Sequence, residues 1–191
     1  MVVIDAALRF LMNELNASLR RRLGTPVGDA ALGPLVDDKG SWAFPDNTLR
    51  LTLFLIEEER ITRAQVPRQI LVDGRQVTLP PPLAITLVVL VSARFTQYTV
   101  GLQHLSLALH FFQAHPLFTP GDFPAMPSGM DRLSIELLNY GPEQTNQMWA
   151  CLGAKHLPSV VYRLRMLLLT EDVPQGVSVP VTEIITRSGQ A

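Results

Sequence analysis

Apolar residues recur at steps of three or four along the first 23 positions: Ile4, Leu8, Leu11, Leu15, Leu19 and Leu23. One stripe at that period predicts an amphipathic helix. Arg20, Arg21 and Arg22 fall in its last turn, where cations suit the negative end of the helix dipole. Gly24 and then Pro26 supply a stop signal. The chain is turn-rich from there to Asn47, with Gly33-Pro34, Asp38-Lys39-Gly40 and Pro45-Asp46-Asn47. Extended pieces from Ala30 to Val36 and from Ser41 to Phe44 predict a hairpin across the Asp38-Lys39-Gly40 turn. Thr48 to Ile56 then alternates strictly. Leu49, Leu51, Leu53 and Leu55 point one way, and Arg50, Thr52, Phe54 and Ile56 the other. The second face turns apolar toward its end, which predicts that the strand enters the sheet interior there.

That strand exits through Glu57-Glu58-Glu59-Arg60 into an exposed excursion over 61–82. Asp73-Gly74, flanked by Ile70, Val72, Val77 and Leu79, marks a hairpin inside the excursion, and Pro80-Pro81-Pro82 closes it. The next run, Leu83 to Ala93, is apolar on both faces and belongs at the centre of a sheet covered on both sides. A second helix is predicted from Gln97 to His115, with Tyr98, Leu102, Leu105, Leu109 and Phe112 on its buried face and Leu107 and Phe111 widening it. A strand from Arg132 to Tyr140 alternates Leu133, Ile135 and Leu137 with Ser134 and Glu136, so one of its faces is wet. Pro142 suits the first position of a short third helix that stops near Gly153. A final strand follows from Ser159 to Leu169. The order of elements predicts an α/β (α+β) fold over residues 1–171: a single mixed β-sheet, its central strand buried on both faces, covered by about three helices. Past Glu171-Asp172, with Pro174 and Pro180, residues 172–191 read as an extended C-terminal arm. Such an arm lies across its own domain or adds to a neighbour's sheet.

Composition narrows what this fold can do. Of 191 residues, 47% are hydrophobic and only 17% charged, against the roughly 25% charged of ordinary soluble domains. Less charge leaves less solvated surface and points to burial against other subunits. A net charge of −1 argues against nucleic acid as a partner. Asp5 and Arg9 interrupt any N-terminal apolar region, so no signal peptide is expected. The 11-residue run from Leu83 to Ala93 falls short of the roughly 20 residues a membrane-spanning helix needs, so no membrane partner is expected either. The lone Cys151 rules out an internal disulfide and reads as a small buried hydrophobe in its helix.

No motif for chemistry stands out. His104, His110 and His115 are spaced by six and five, which misses the i, i+4 geometry of a helical metal pair. Phosphate loops, dinucleotide turns and serine elbows are lacking. We therefore expect no catalytic residues, no metal and no cofactor. The alternative from another class is a ligand-binding or hydrolytic α/β domain using Glu57, Glu59 and the 61–82 loop; Glu57 and Glu59 share a strand face, as acid/base work would need.

The segment MWACLGAKHLPSVVYRLRMLLL, Met148 to Leu169, changes the picture. Trp149, Leu152-Gly153-Ala154-Lys155, Leu157-Pro158-Ser159, Tyr162 and Arg165 resemble the signature of the cap, or tail-terminator, proteins of extracellular contractile injection systems of the antifeeding-prophage type. IDAALRFLMNELNASLRRRLGT, LTLFLIEEER, PPPLAITLVVLVSARF and HFFQAHPLFTP agree in order with other parts of that family, so the resemblance covers most of residues 3–170. In physical terms Gly153 ends the short helix in a left-handed turn, Pro158 sets the start of the last strand, and Trp149 is expected to pack on the Tyr162 side of that strand.

The resemblance implies a tail-terminator-like fold and a ring of identical subunits, six to match its tube. Such a ring would meet the inner-tube and sheath proteins and end their polymerisation. It also implies assembly in a bacterial cytoplasm and then a place in a phage-tail-like particle. Another ring component of the same particle, a baseplate adaptor, is the nearer alternative. Candidate interface residues are Arg20, Arg21, Arg22, Lys155, Arg163 and Arg165, with Val181, Ile184 and Ile185 on the arm.

Overall fold

A computed structural model describes residues 3–24, 26, 28–58, 68–72, 75–79, 83–168 and 176–178. The chain runs α1 (Val3–Leu23), β1 (Ala30–Leu32), β2 (Thr48–Glu58), β3 (Arg68–Val72), β4 (Arg75–Leu79) and β5 (Leu83–Arg94). It continues through α2 (Tyr98–Ala114), β6 (Leu117–Phe118), β7 (Met130–Leu138), α3 (Pro142–Leu152), β8 (Ser159–Leu168) and β9 (Gly176–Ser178). Among the described residues no helix is long and apolar enough to cross a membrane.

Six strands form one sheet in the order β1-β2-β5-β8-β7-β6. β1 runs parallel to β2 and the other pairings are antiparallel, so the sheet is mixed, as its sequence predicts. β5 lies inside it, with Ile85 to Ala93 all buried. Its odd-numbered residues join Leu164, Met166, Leu133 and the buried stripes of α1 and α2 in one apolar layer. Its Val88 and Leu90 join Val161, Leu35, Phe44, Met148 and Trp149 in a second layer beneath α3. The hairpin expected around Asp73-Gly74 is β3 with β4, and it sits in a separate three-stranded sheet, β3-β4-β9. Within the stretch read as an arm, Gly176–Ser178 adds to β4 of its own chain. Residues 169–175 and 179–191 lie outside the described residues.

Local chemistry explains the element ends. The amide of Gly24, at φ 68°, donates to the Arg20 carbonyl at 2.8 Å and closes α1. α3 starts at Pro142, where the Gln144 side chain accepts from the Gly141 amide at 3.1 Å, and ends at Gly153 in the left-handed region. β1 is held on its outer edge by Asn16. That side chain donates to the Ala30 carbonyl (2.9 Å) and accepts from the Ala30 amide (2.6 Å), taking the place of a neighbouring strand.

Five expectations need correction. Ala30–Leu32 pairs with β2 and takes no part in the hairpin across residues 38–40, which is a tight turn carrying one Val36–Trp42 bridge. β2 leaves the interior at its end instead of entering it. After a register shift at Phe54, Leu55 and Ile56 are 42% and 52% exposed because both covering layers stop short of them. The buried face of α2 is Gly101, His104, Leu105, Ala108, Phe111 and Phe112, with Tyr98 and Leu102 outside it. Small residues let this helix sit close to its neighbours: a Cβ on Gly101 would meet the Phe95 ring at 3.3 Å. Trp149 packs on the Val161 side of β8, since Tyr162 points into the opposite layer against Phe112 at 4.9 Å. Cys151 is exposed, because α3 buries only Met148 and Trp149. Leu137, near the open edge of β7, is likewise 46% exposed.

Candidate functional site

Among the described residues, titratable side chains gather nowhere in a way that suggests a reaction centre. Among the described residues no three His, Cys, Asp or Glu lie where they could share a metal ion. The imidazole N–H groups of His104 and His115 donate to the carbonyls of Val100 and Phe111, at 2.8 and 2.9 Å, so both rings brace α2. Glu57 is exposed at the end of β2; Glu59 and most of the 61–82 loop lie outside the described residues.

What the fold does gather is a set of charged and polar side chains on one sheet face. Register places Leu55 and Glu57 of β2, Thr86 and Val88 of β5, Arg163 and Arg165 of β8, and Glu136 and Ser134 of β7 in adjoining rows of one sheet face. α3 and the 35–44 segment cover this face as far as Val88, which is buried like its neighbour Thr86, so the exposed members of these rows are Leu55, Glu57, Glu136 and Arg165. Arg163 and Arg165 both reach the Glu136 carboxylate, at 3.7 and 3.4 Å. Glu136 is 55% exposed in its side chain, so these ion pairs contribute less than about 1 kcal/mol each. Their larger consequence is positional: two guanidinium groups are gathered on one carboxylate across the β7–β8 pairing.

The other sequence candidates lie elsewhere. Arg20 is tied to Asp29, its Nε donating to Oδ2 at 2.9 Å, and that hydrogen bond and charge hold its guanidinium above the ordinary arginine range. Arg21 and Arg22 are exposed at the same helix end, on the layer opposite Arg163 and Arg165. Lys155 is exposed in the turn after α3. Val181, Ile184 and Ile185 lie outside the described residues. The six described candidates therefore form no single site, and among them Arg163 and Arg165 share one carboxylate.

Two concave surfaces escape sequence reasoning. A groove of about 640 Å³ opens between the start of α1, the β1 edge and the end of α3, lined by Ile4, Leu8, Leu32, Leu53, Cys151 and Leu152 among others. A second, of about 530 Å³, is lined by Tyr140, Pro142, Thr145, Asn146, Trp149 and His156. Its aromatic walls come from residues up to 16 positions apart, and only the packing of α3 between β7 and β8 joins them.

Comparison with known proteins gives this architecture a context. The family model of the Pvc16 N-terminal domain matches residues 6–183. No curated protein sequence matches the chain. Among solved structures, the sheath/tube terminator of an extracellular contractile injection system, PVC, in its extended state matches with a TM-score of 0.71 at 18% identity. That match covers 98% of this chain and 64% of the other. The tube-terminating cap of the anti-feeding prophage matches with a TM-score of 0.62 at 16% identity, over 92% of this chain and 59% of that one. This chain thus spans less than two thirds of the terminators it resembles, and it shares their fold.

Proposed function

The chain belongs to the Pvc16 N-terminal domain family, and on that premise we propose that it is a structural tube cap. In this reading identical copies, six to match the tube, form a ring on the last inner-tube and sheath layer of a contractile injection particle, ending polymerisation and setting particle length. The observation that carries it is the likeness of fold, over 98% of the chain, to a sheath/tube terminator. Arg163 and Arg165, gathered on Glu136 and partly exposed, are the candidate contacts with a neighbour in this reading. A closed ring needs two different patches on each subunit in head-to-tail contact. The subunit would be made in the bacterial cytoplasm and leave it as part of the particle. Negative-stain imaging of inner tubes mixed with the purified chain tests the proposal: rings seated on tube ends support it, and bare ends at saturating chain would overturn it.

A further inference from the structure

Trp149, which lines the second groove with Tyr140 and His156, carries a covered and unmet hydrogen-bond donor. Trp149 is 4% exposed and its indole N–H has no acceptor. An indole can only donate, and a buried donor without a partner costs about 1–3 kcal/mol. His156 lies against the indole with ring centroids 5.2 Å apart, and it is itself exposed, so it can turn aside. Tyr140, Trp149 and His156 with Pro142 make aromatic walls of the kind on which proline rings pack, and the indole N–H, uncovered as His156 turns aside, suits the carbonyl of an extended segment.

The same chain presents a matching knob. Residues 116–127, PLFTPGDFPAMP, carry four prolines in twelve positions at the β6 edge. The loop is pinned from below: Phe118 is fully buried, and Phe118 and Phe123 pack edge-on against Phe10 at 5.6 and 6.0 Å. The Thr119 carbonyl accepts from the amides of Asp122 and Phe123, and the Thr119 hydroxyl donates to Asp122 at 2.8 Å. Pro120, Gly121 and Pro124 are left exposed on this rigid base. The turn's hydrogen bonds use the carbonyls of Thr119 and Phe123, and those of Pro120 and Gly121 accept none of them. Because the loop is already ordered, docking it costs little conformational entropy. Charge agrees as well, with exposed Asp122 on the knob and exposed Lys155 and His156 at the groove.

Within one subunit the two cannot meet. The loop precedes β7 and the groove follows it: Leu117 pairs with Ser134, and Tyr140 lies six residues further along, about 20 Å at a strand's rise. Resting on the reading that copies of this chain associate, we propose that the proline loop 116–127 of one subunit seats in the Tyr140–Trp149–His156 groove of the next. The Trp149 N–H then donates to the carbonyl of Pro120 or Gly121. Knob and groove are different patches, so the contact is head-to-tail and can close into a ring.

Cross-linking tests this directly in the full chain. In a Cys151→Ser background, Asn146→Cys and Pro120→Cys introduce thiols at exposed positions of groove and knob. Treated with a flexible bis-maleimide, an equimolar mixture of the two single-cysteine chains should give a covalent dimer that neither gives alone, and the double variant a ladder. Pro120→Ala with Pro124→Ala should raise the dissociation constant about tenfold, through loss of the proline-ring contacts and of the loop's preordering. A wild-type chain that self-associates while the mixture gives no dimer overturns this contact and leaves the ring reading standing. A wild-type chain that stays monomeric at every concentration and on tubes overturns both.

Discussion

Replacing Tyr162 by Phe should stabilise this protein, and more so at high pH. Tyr162 is 3% exposed, its ring packs 4.9 Å from that of Phe112, and its hydroxyl has no hydrogen-bond partner. Phe keeps the ring contact and removes the stranded group. An unsatisfied buried hydroxyl costs about 1–3 kcal/mol. Allowing for the small void left by one oxygen, a net gain of about 1 kcal/mol is expected at pH 7. In a chain of this size that is a rise of about 2–4 °C in Tm. Burial also pushes the Tyr162 hydroxyl above its ordinary value of 10.0. Above pH 10 the unfolded chain therefore loses this proton while the folded chain keeps it. The unfolded state then binds fewer protons, so wild-type stability falls as pH rises, by about 1.4 kcal/mol per pH unit from this group. Tyr162→Phe lacks that contribution, and the gap between the two proteins should widen from about 1 kcal/mol at pH 7 to about 2.4 kcal/mol at pH 11. Urea unfolding followed by circular dichroism at both pH values measures it. A variant less stable than wild type by about 1 kcal/mol at pH 7 would refute the reasoning by showing the hydroxyl to be hydrogen-bonded in the folded state, and a gap that does not change with pH would refute the shift caused by burial.

Two further substitutions separate folding from assembly. Asn16→Ala strips the Ala30 amide and carbonyl of their partner and should cost about 3 kcal/mol in urea unfolding, with faster amide exchange at Ala30. Arg163→Glu with Arg165→Glu reverses the charge at two partly exposed ion pairs with Glu136 and should lower stability by no more than about 2 kcal/mol. The same double variant should bind tube ends at least about tenfold more weakly by sedimentation, a fold-change equal to about 1.4 kcal/mol.

Sequence reasoning worked best where one residue's own physics decides the outcome. The stripe Leu8, Leu11, Leu15 and Leu19, the double-faced run from Ile85 to Ala93, and the left-handed Gly153 each read correctly because period, burial and φ are local properties. It failed where packing chose among plausible faces. On α2, Leu102 looks more buried than Gly101 or His104, yet the helix turns its small residues inward to approach the sheet, and no hydropathy pattern signals close approach. Phe54 breaks the alternation of β2 at a register shift that strict period-two counting cannot foresee. Trp149 was assigned to the wrong layer because the side taken by α3 depends on the β7-to-β8 connection, which sequence does not reveal. The candidate surfaces were legible in proportion. Arg163 and Arg165 share a strand face by spacing alone, whereas their meeting with Glu136 depends on the strand order. The groove of Tyr140, Trp149 and His156 and the knob at Pro120 became visible only once folding had set them on either side of β7.

Growth of inner tubes in the presence of the chain tests the central claim most directly. Tube protein polymerised with increasing amounts of the purified chain, and imaged in negative stain, gives both the length distribution and the state of the ends. A cap predicts mean length falling as the ratio of chain to tube protein rises, with one end of each tube closed by a ring. Unchanged lengths and open ends, from a folded chain present in excess, would contradict it.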